Sequence, residues 1–127
     1  MRSPAQAPQG RTVLVLNSLS VEAGLIQKWL EAEGYLVEVI AEKGGFEARV
    51  EKAVPDLIVM AQVEAGSAAT NLFQDLKSNE STKGIPIVFL ATTGVPQVEQ
   101  GGGVLLRRPF GAGALIAAVQ KATNSKS

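Results

Sequence analysis

The chain has 127 residues, of which 46% are apolar and 19% charged, and its twelve basic and twelve acidic side chains cancel. A chain of this length makes one domain and buries roughly two-thirds of its unfolded surface, enough to hold a core without staples. It contains no cysteine and no histidine, which excludes thiol nucleophiles, disulfides, Ser-His-Asp catalysis, imidazole acid–base chemistry and almost every zinc site.

In chain order, residues 1–10 (MRSPAQAPQG) carry two prolines and no periodicity, and they read as a flexible leader or linker. Thr12–Leu16 (TVLVL) is an unbroken apolar, β-branched run, as in a strand covered on both faces. Val21–Glu33 follows with Leu25, Ile26, Trp29 and Leu30 on one helical stripe, Ser20 placed to cap its start and Gly34 to close it. Leu36–Ile40 is a second strand. Phe46, Val50 and Ala53 stripe a shorter helix that ends before Pro55. Leu57–Met60 is a third strand, and Leu72, Phe73 and Leu76 mark a third helix. Ile85–Leu90 is a fourth strand and Val104–Leu106 a short fifth, after which Leu115, Ile116 and Val119 stripe the final helix. Residues 124–127 form a polar tail, leaving a domain of residues 11–123.

Strands alternating with helix-length segments imply βαβ units and a parallel sheet. Five such repeats predict an α/β, doubly wound, five-stranded parallel sheet of flavodoxin-like order, with Leu14, Val15, Ile58, Val59, Val88 and Phe89 buried. Ligands of such folds sit beyond the carboxyl ends of the strands. The residues to examine are therefore Asn17–Ser20, Ala61–Glu64, Ala91–Thr93 and Arg107–Pro109.

Four stretches stand in a telling order: VLVLNSLS at 13–20, PDLIVMA at 55–61, IPIVFLAT at 85–92 and LLRRPF at 105–110. Together they resemble the receiver domains of bacterial two-component response regulators, the CheY-like domains, over nearly the whole of Arg11–Thr123. That resemblance implies five functional positions, and the sequence departs from the family at each. The acidic, magnesium-binding pair falls on Asn17 and Ser18. The phosphoacceptor aspartate falls on Ala61, the hydroxyl residue on Ala91, the lysine on Arg108 and the aromatic switch position on Leu105. The residue whose backbone carbonyl meets the metal matches Val63. The resemblance at RRPF also implies a cis Arg108–Pro109 bond. Between the fourth and fifth strands, Thr92–Gly103 (TTGVPQVEQGGG) holds a proline and three consecutive glycines. Glycine costs about 1 kcal/mol per residue in a helix, so the fourth helix is expected to be shortened to a turn or missing.

The chemistry follows from the residue types. Magnesium takes hard oxygen ligands, usually carboxylates and water. Asn17 and Ser18 offer only neutral oxygens and Ala61 none, and Glu64 is expected to be the one carboxylate near this face. Acyl-phosphate chemistry needs a carboxylate nucleophile. Asp56 lies at the opposite end of the sheet and Asp75 in the third helix, so no phosphoacceptor, catalytic residue, metal or cofactor is expected. Asn17, Ser18 and Ser20 fit either a phosphate at the helix's amino end or a capped turn. Thr92 and Thr93 fit ligand hydroxyls or a turn. Arg107 and Arg108 fit an anion, a partner carboxylate or the backbone oxygens of the emptied site. Trp29 is expected in the core, and Gly101–Gly103 as a connector.

The leading expectation is a non-enzymatic, phosphorylation-independent pseudo-receiver acting as a protein–protein interaction module in bacterial signalling or regulation. The alternative is a sensor domain binding a small ligand of flavin, nucleotide or quinone type at the switch point of the sheet. A protein partner of unknown identity is expected, with a homodimer left open. Balanced charge argues against nucleic acid. No segment has the length of a membrane span or the pattern of a secretory signal, so a cytoplasmic protein without membrane contact is expected.

Overall fold

Consecutive apolar residues in a strand stay out of water only if both faces of the sheet are covered, and the three central strands are built that way. In a computed structural model, which describes residues 11–17, 19–61, 68–92 and 102–124, the strands are β1 (Thr12–Leu16), β2 (Leu36–Ile40), β3 (Leu57–Ala61), β4 (Ile87–Ala91) and β5 (Val104–Arg107). The helices are α1 (Ser20–Ala32), α2 (Lys43–Lys52), α3 (Ala68–Ser78) and α4 (Ala112–Asn124). The strands pair in the order β2-β1-β3-β4-β5 and every pair is parallel. This is the expected doubly wound, flavodoxin-like sheet.

Side chains alternate across a strand, and the alternation sorts the core into two layers. Leu14 and Leu16, Ile58 and Met60, Ile87 and Phe89 pack with Phe46 and Val50 of α2 and with Leu72, Phe73 and Leu76 of α3. Val13 and Val15, Leu57 and Val59, Val88 and Leu90 pack on the other face with Ile26 and Leu30 of α1 and with Leu115 and Val119 of α4. All six residues expected in the core are completely buried. The edge strands differ, since Leu36 and Glu38 of β2 are exposed and Val104–Leu106 of β5 only half-buried.

Three local expectations shift. Ser20 does not cap α1: Leu19 occupies the cap position, and its N–H is met by Asn17 Oδ1 at 2.8 Å. The fourth strand starts at Ile87, two residues later than its apolar run, because Pro86 has no N–H for the ladder. Its carbonyl still accepts from Ile58 N at 3.0 Å. Trp29 is half-buried at the rim, its ring edge-on to Phe110 with centroids 6.4 Å apart. Gly34 closes α1 as expected, with a φ of 98° that an L side chain rarely adopts and its N–H on Glu31 O at 3.0 Å. The Arg108–Pro109 bond is cis. The shortened fourth helix, expected at 96–100, lies outside the described residues, as do the leader and residues 125–127.

This packing makes Phe89 a sensitive position, since its ring meets Phe73 edge-on at 6.3 Å in the centre of one layer. Phe89→Ala is expected to lower stability by about 3–5 kcal/mol in urea unfolding. Val21→Ala, at a side chain 77% exposed on α1, is expected to stay within about 0.5 kcal/mol.

Candidate functional site

The strand register brings the carboxyl ends of β1, β3, β4 and β5 to one edge. Leu16 lies opposite Met60, Ala61 opposite Leu90, and Ala91 opposite Arg107. Asn17, Ala61, Ala91 and Arg108, from four separate stretches of sequence, thus share this edge. Ser18, Val63, Glu64 and Thr93 lie outside the described residues, and Thr92 is exposed. Ala61 and Ala91 each keep only 3% exposure, their methyls absorbed into the two core layers on opposite faces of the sheet.

Asn17 is the buried polar residue of this edge, at 2% exposure. Three of its polar groups have separate partners. The backbone N–H donates to Ile40 O at 3.1 Å, joining the end of β1 to that of β2. Its side-chain oxygen accepts from Leu19 N, and its amide Nδ2 donates to Glu22 Oε1 at 2.8 Å. An Asn oxygen bonded two residues on is a local turn that competes well with other backbone arrangements. This turn fixes the direction in which α1 leaves the sheet.

Glu22 stands at the third helical position of α1, three residues after the cap. A glutamate there commonly reaches back to the cap N–H. Asn17 already meets that N–H, so the carboxylate is released to face the end of β5. Arg108 meets it with two parallel bonds, Nε to Oε2 and Nη2 to Oε1, each 2.8 Å. The arginine backbone is held in turn by its N–H on Ala91 O at 2.9 Å. Both side chains are largely out of water, at 16% and 19% exposure for Arg108 and Glu22. The Arg108 bonds hold the Glu22 carboxyl below its usual range and Asn17 adds to this, while burial opposes it. The same bonds raise Arg108 against its own burial. The first turn of α1 also favours the negative charge.

The site therefore contains a carboxylate that the sequence reading missed. Glu64 was expected to be the one carboxylate near this face, yet Glu22 occupies it, reaching in from a helix and not from a strand-end loop. Of the two arginines, Arg108 turns inward and takes an internal carboxylate, and Arg107 is exposed. Beside the pair lies an open, apolar groove of about 390 Å³, lined by Leu19, Val21, Leu25, Trp29, Pro109 and Phe110 together with Glu22 and Arg108. Chemically, the described edge holds an ion pair, one amide and two buried methyls, with the Thr92 hydroxyl and the Arg107 guanidinium exposed beside them.

No family model and no curated protein matches the sequence. Solved structures do match. The chain is similar to the chemotaxis response regulator CheY4 of Vibrio cholerae, with 21% identity, a TM-score of 0.79, and 88% of this chain and 98% of that one covered. It is also similar to a putative response regulator from Chloroflexus aurantiacus, with 21% identity, a TM-score of 0.81, and coverage of 90% and 98%. An orphan response regulator of H. pylori aligns with 19% identity, a TM-score of 0.77, and coverage of 91% and 99%. The fold is that of the CheY-like receivers.

The ion pair makes a signed prediction for pH. A carboxyl whose folded value lies below its ordinary 4.5 contributes stability that is complete above that value and lost as pH falls through the folded one. Glu22→Gln is expected to cost about 1–2 kcal/mol at pH 7. Because the variant has no proton to take up at this position, its urea midpoint should fall less steeply than the parent's as the pH is lowered from about 5.

Proposed function

We propose that this chain is a receiver-fold domain of bacterial signal transduction that works without phosphorylation, as a cytoplasmic protein–protein interaction module. The observation that carries the proposal is the two-bond pair between Arg108 and Glu22. In the receivers that the sequence resembles, the charge at this edge is negative, from an acidic pair and the phosphoacceptor aspartate, and it is answered by magnesium. In this chain the one carboxylate found there among the described residues has both oxygens on a guanidinium. Asn17 has given its amide oxygen to the α1 turn. Ala61 and Ala91 have no donor atoms in their side chains. This set does not fit magnesium, which demands a nearly octahedral shell of hard oxygens and dehydrates reluctantly.

Phosphoryl transfer fails on the same residues. Formation of an acyl phosphate needs a carboxylate oxygen to attack phosphorus, and the position that would supply it is a methyl group packed in the core. Glu22 is no substitute, because a bidentate, charge-assisted pair lowers its availability as a nucleophile. The domain is therefore non-enzymatic and takes no cofactor at this edge. A module of this kind changes state only through partners that bind its conformations with different affinity.

The test is incubation of the purified chain with acetyl phosphate, or with beryllofluoride, plus magnesium, read by intact mass and amide chemical shifts. The proposal expects an unchanged mass and no saturable shifts. A mass gain of one phosphoryl group, or magnesium-dependent shifts centred on Asn17 and Ala61, would contradict it.

A further inference from the structure

The opposite face of the sheet carries a feature unconnected with the Arg108 edge. Between α2, α3 and the turn that follows α3 lies an open groove of about 490 Å³. Its volume is in the range of sites that take a ligand or an inserted side chain. Its floor is apolar. Val50, Leu72 and Leu76 belong to the core and show only their outer edges, while Val54, just past the end of α2, remains 52% exposed.

The rim has one sign of charge. Glu47, Glu51 and Asp75 line the groove, and among the described residues no lysine or arginine does. Three nearby cations are directed elsewhere. Arg49 donates to Glu38 at 2.7 Å and to Ala53 O at 2.7 Å. Lys77 sits 5.9 Å over the Phe73 ring, and Lys83 meets Glu80 at 3.2 Å. The polar residues at the end of the groove are similarly engaged: Thr82 Oγ1 donates to Leu76 O at 2.6 Å, and Asn79 Oδ1 accepts from Ser81 N at 2.8 Å. A chain with no net charge thus concentrates carboxylates around an apolar floor.

We propose that this groove docks a basic amphipathic segment of a partner protein, its apolar side chains resting on Val50, Val54 and Leu76 and its lysines or arginines facing Glu51 and Asp75. The proposal rests on the interaction-module reading and adds the chemistry of the partner. Helix-in-groove recognition uses this division of labour, with apolar anchors for affinity and rim charges for partner choice and association rate. An acidic segment would meet like charges. A wholly apolar segment would strip water from the rim carboxylates and return nothing to them.

The probe is a short amphipathic peptide of leucine and lysine, with its leucine–glutamate counterpart as control, titrated into the full chain. Binding is read by fluorescence anisotropy and mapped by amide shifts. The leucine–lysine peptide should bind saturably, weaken with added salt, and move the amides of Glu51, Val54, Asp75 and Leu76. The double variant Glu51→Lys/Asp75→Lys should weaken binding by about tenfold or more, and Val54→Ser should weaken it without altering charge. Glu31→Lys/Glu33→Lys, the same charge change on the α1 side, should leave it within about twofold. Equal loss in that control, shifts centred on another surface, equal binding of the glutamate peptide, or no binding would overturn the groove assignment. So would concentration-dependent shifts at the groove without peptide, which would mark a second copy as its occupant. These outcomes are separable from those of the phosphorylation test: an inert peptide with unchanged mass removes only the groove, whereas a phosphoryl gain removes the reading on which it rests.

Discussion

The arrangement of the strand-end edge depends on one interaction, the two-bond pair between Glu22 and Arg108. Removing either charge alone leaves the other half-buried and short of the charge that faces it. The pair also joins parts that are far apart in sequence, its members standing 86 positions apart. It forms because Asn17 turns the chain into α1 and meets the cap N–H, and because Ala91 O holds the backbone of Arg108. The pair places the guanidinium at the end of β5 against a carboxylate of α1. Here the cation is satisfied from within the chain.

That closure changes which surfaces are available for work. The switch point of a doubly wound sheet is where ligands ordinarily gather, and at this one Glu22 and Arg108, among the described residues, are spent on each other. The remaining features lie to either side: an apolar groove along α1 that includes Trp29 and Phe110, and an acid-rimmed groove between α2 and α3. Among the described residues, the second is rimmed by Glu47, Glu51 and Asp75 and by no lysine or arginine. On the proposed reading such a domain signals by what it touches, and the sheet between the two helix layers separates the two surfaces.

Most of the fold was legible because it rests on short-range regularities. Unbroken apolar runs such as LIVMA at 57–61 have one use in a domain of this size, a strand buried on both faces, and the helical stripes between them forced parallel crossovers. That Asn17, Ala61, Ala91 and Arg108 gather at one strand-end edge was legible from the order of the strands. Glu22 was not. Its role depends on Asn17 taking over the cap N–H, a three-dimensional substitution invisible to spacing, and it reaches the edge from a helix and not from a strand-end loop. The signal was nonetheless present: a glutamate three residues after an unfit cap, Leu19, with an asparagine two residues before it. Trp29 misled for a related reason. Its place on an apolar stripe predicts burial, but the stripe runs to the rim of α1, where the ring covers Phe110 and borders solvent. The acidic groove was equally beyond sequence reasoning, since Glu51 and Asp75 come together only once α2 and α3 lie side by side.

The central claim is that the edge is neutralised internally, and a double-mutant cycle measures it directly. Urea unfolding at pH 7 of the parent, Glu22→Gln, Arg108→Gln and the double variant yields the coupling between the two side chains. The account predicts that the double variant is less destabilised than the sum of the single ones, by about 1–2 kcal/mol. Additivity within about 0.3 kcal/mol would mean that Glu22 and Arg108 act independently, and would contradict the account at its base.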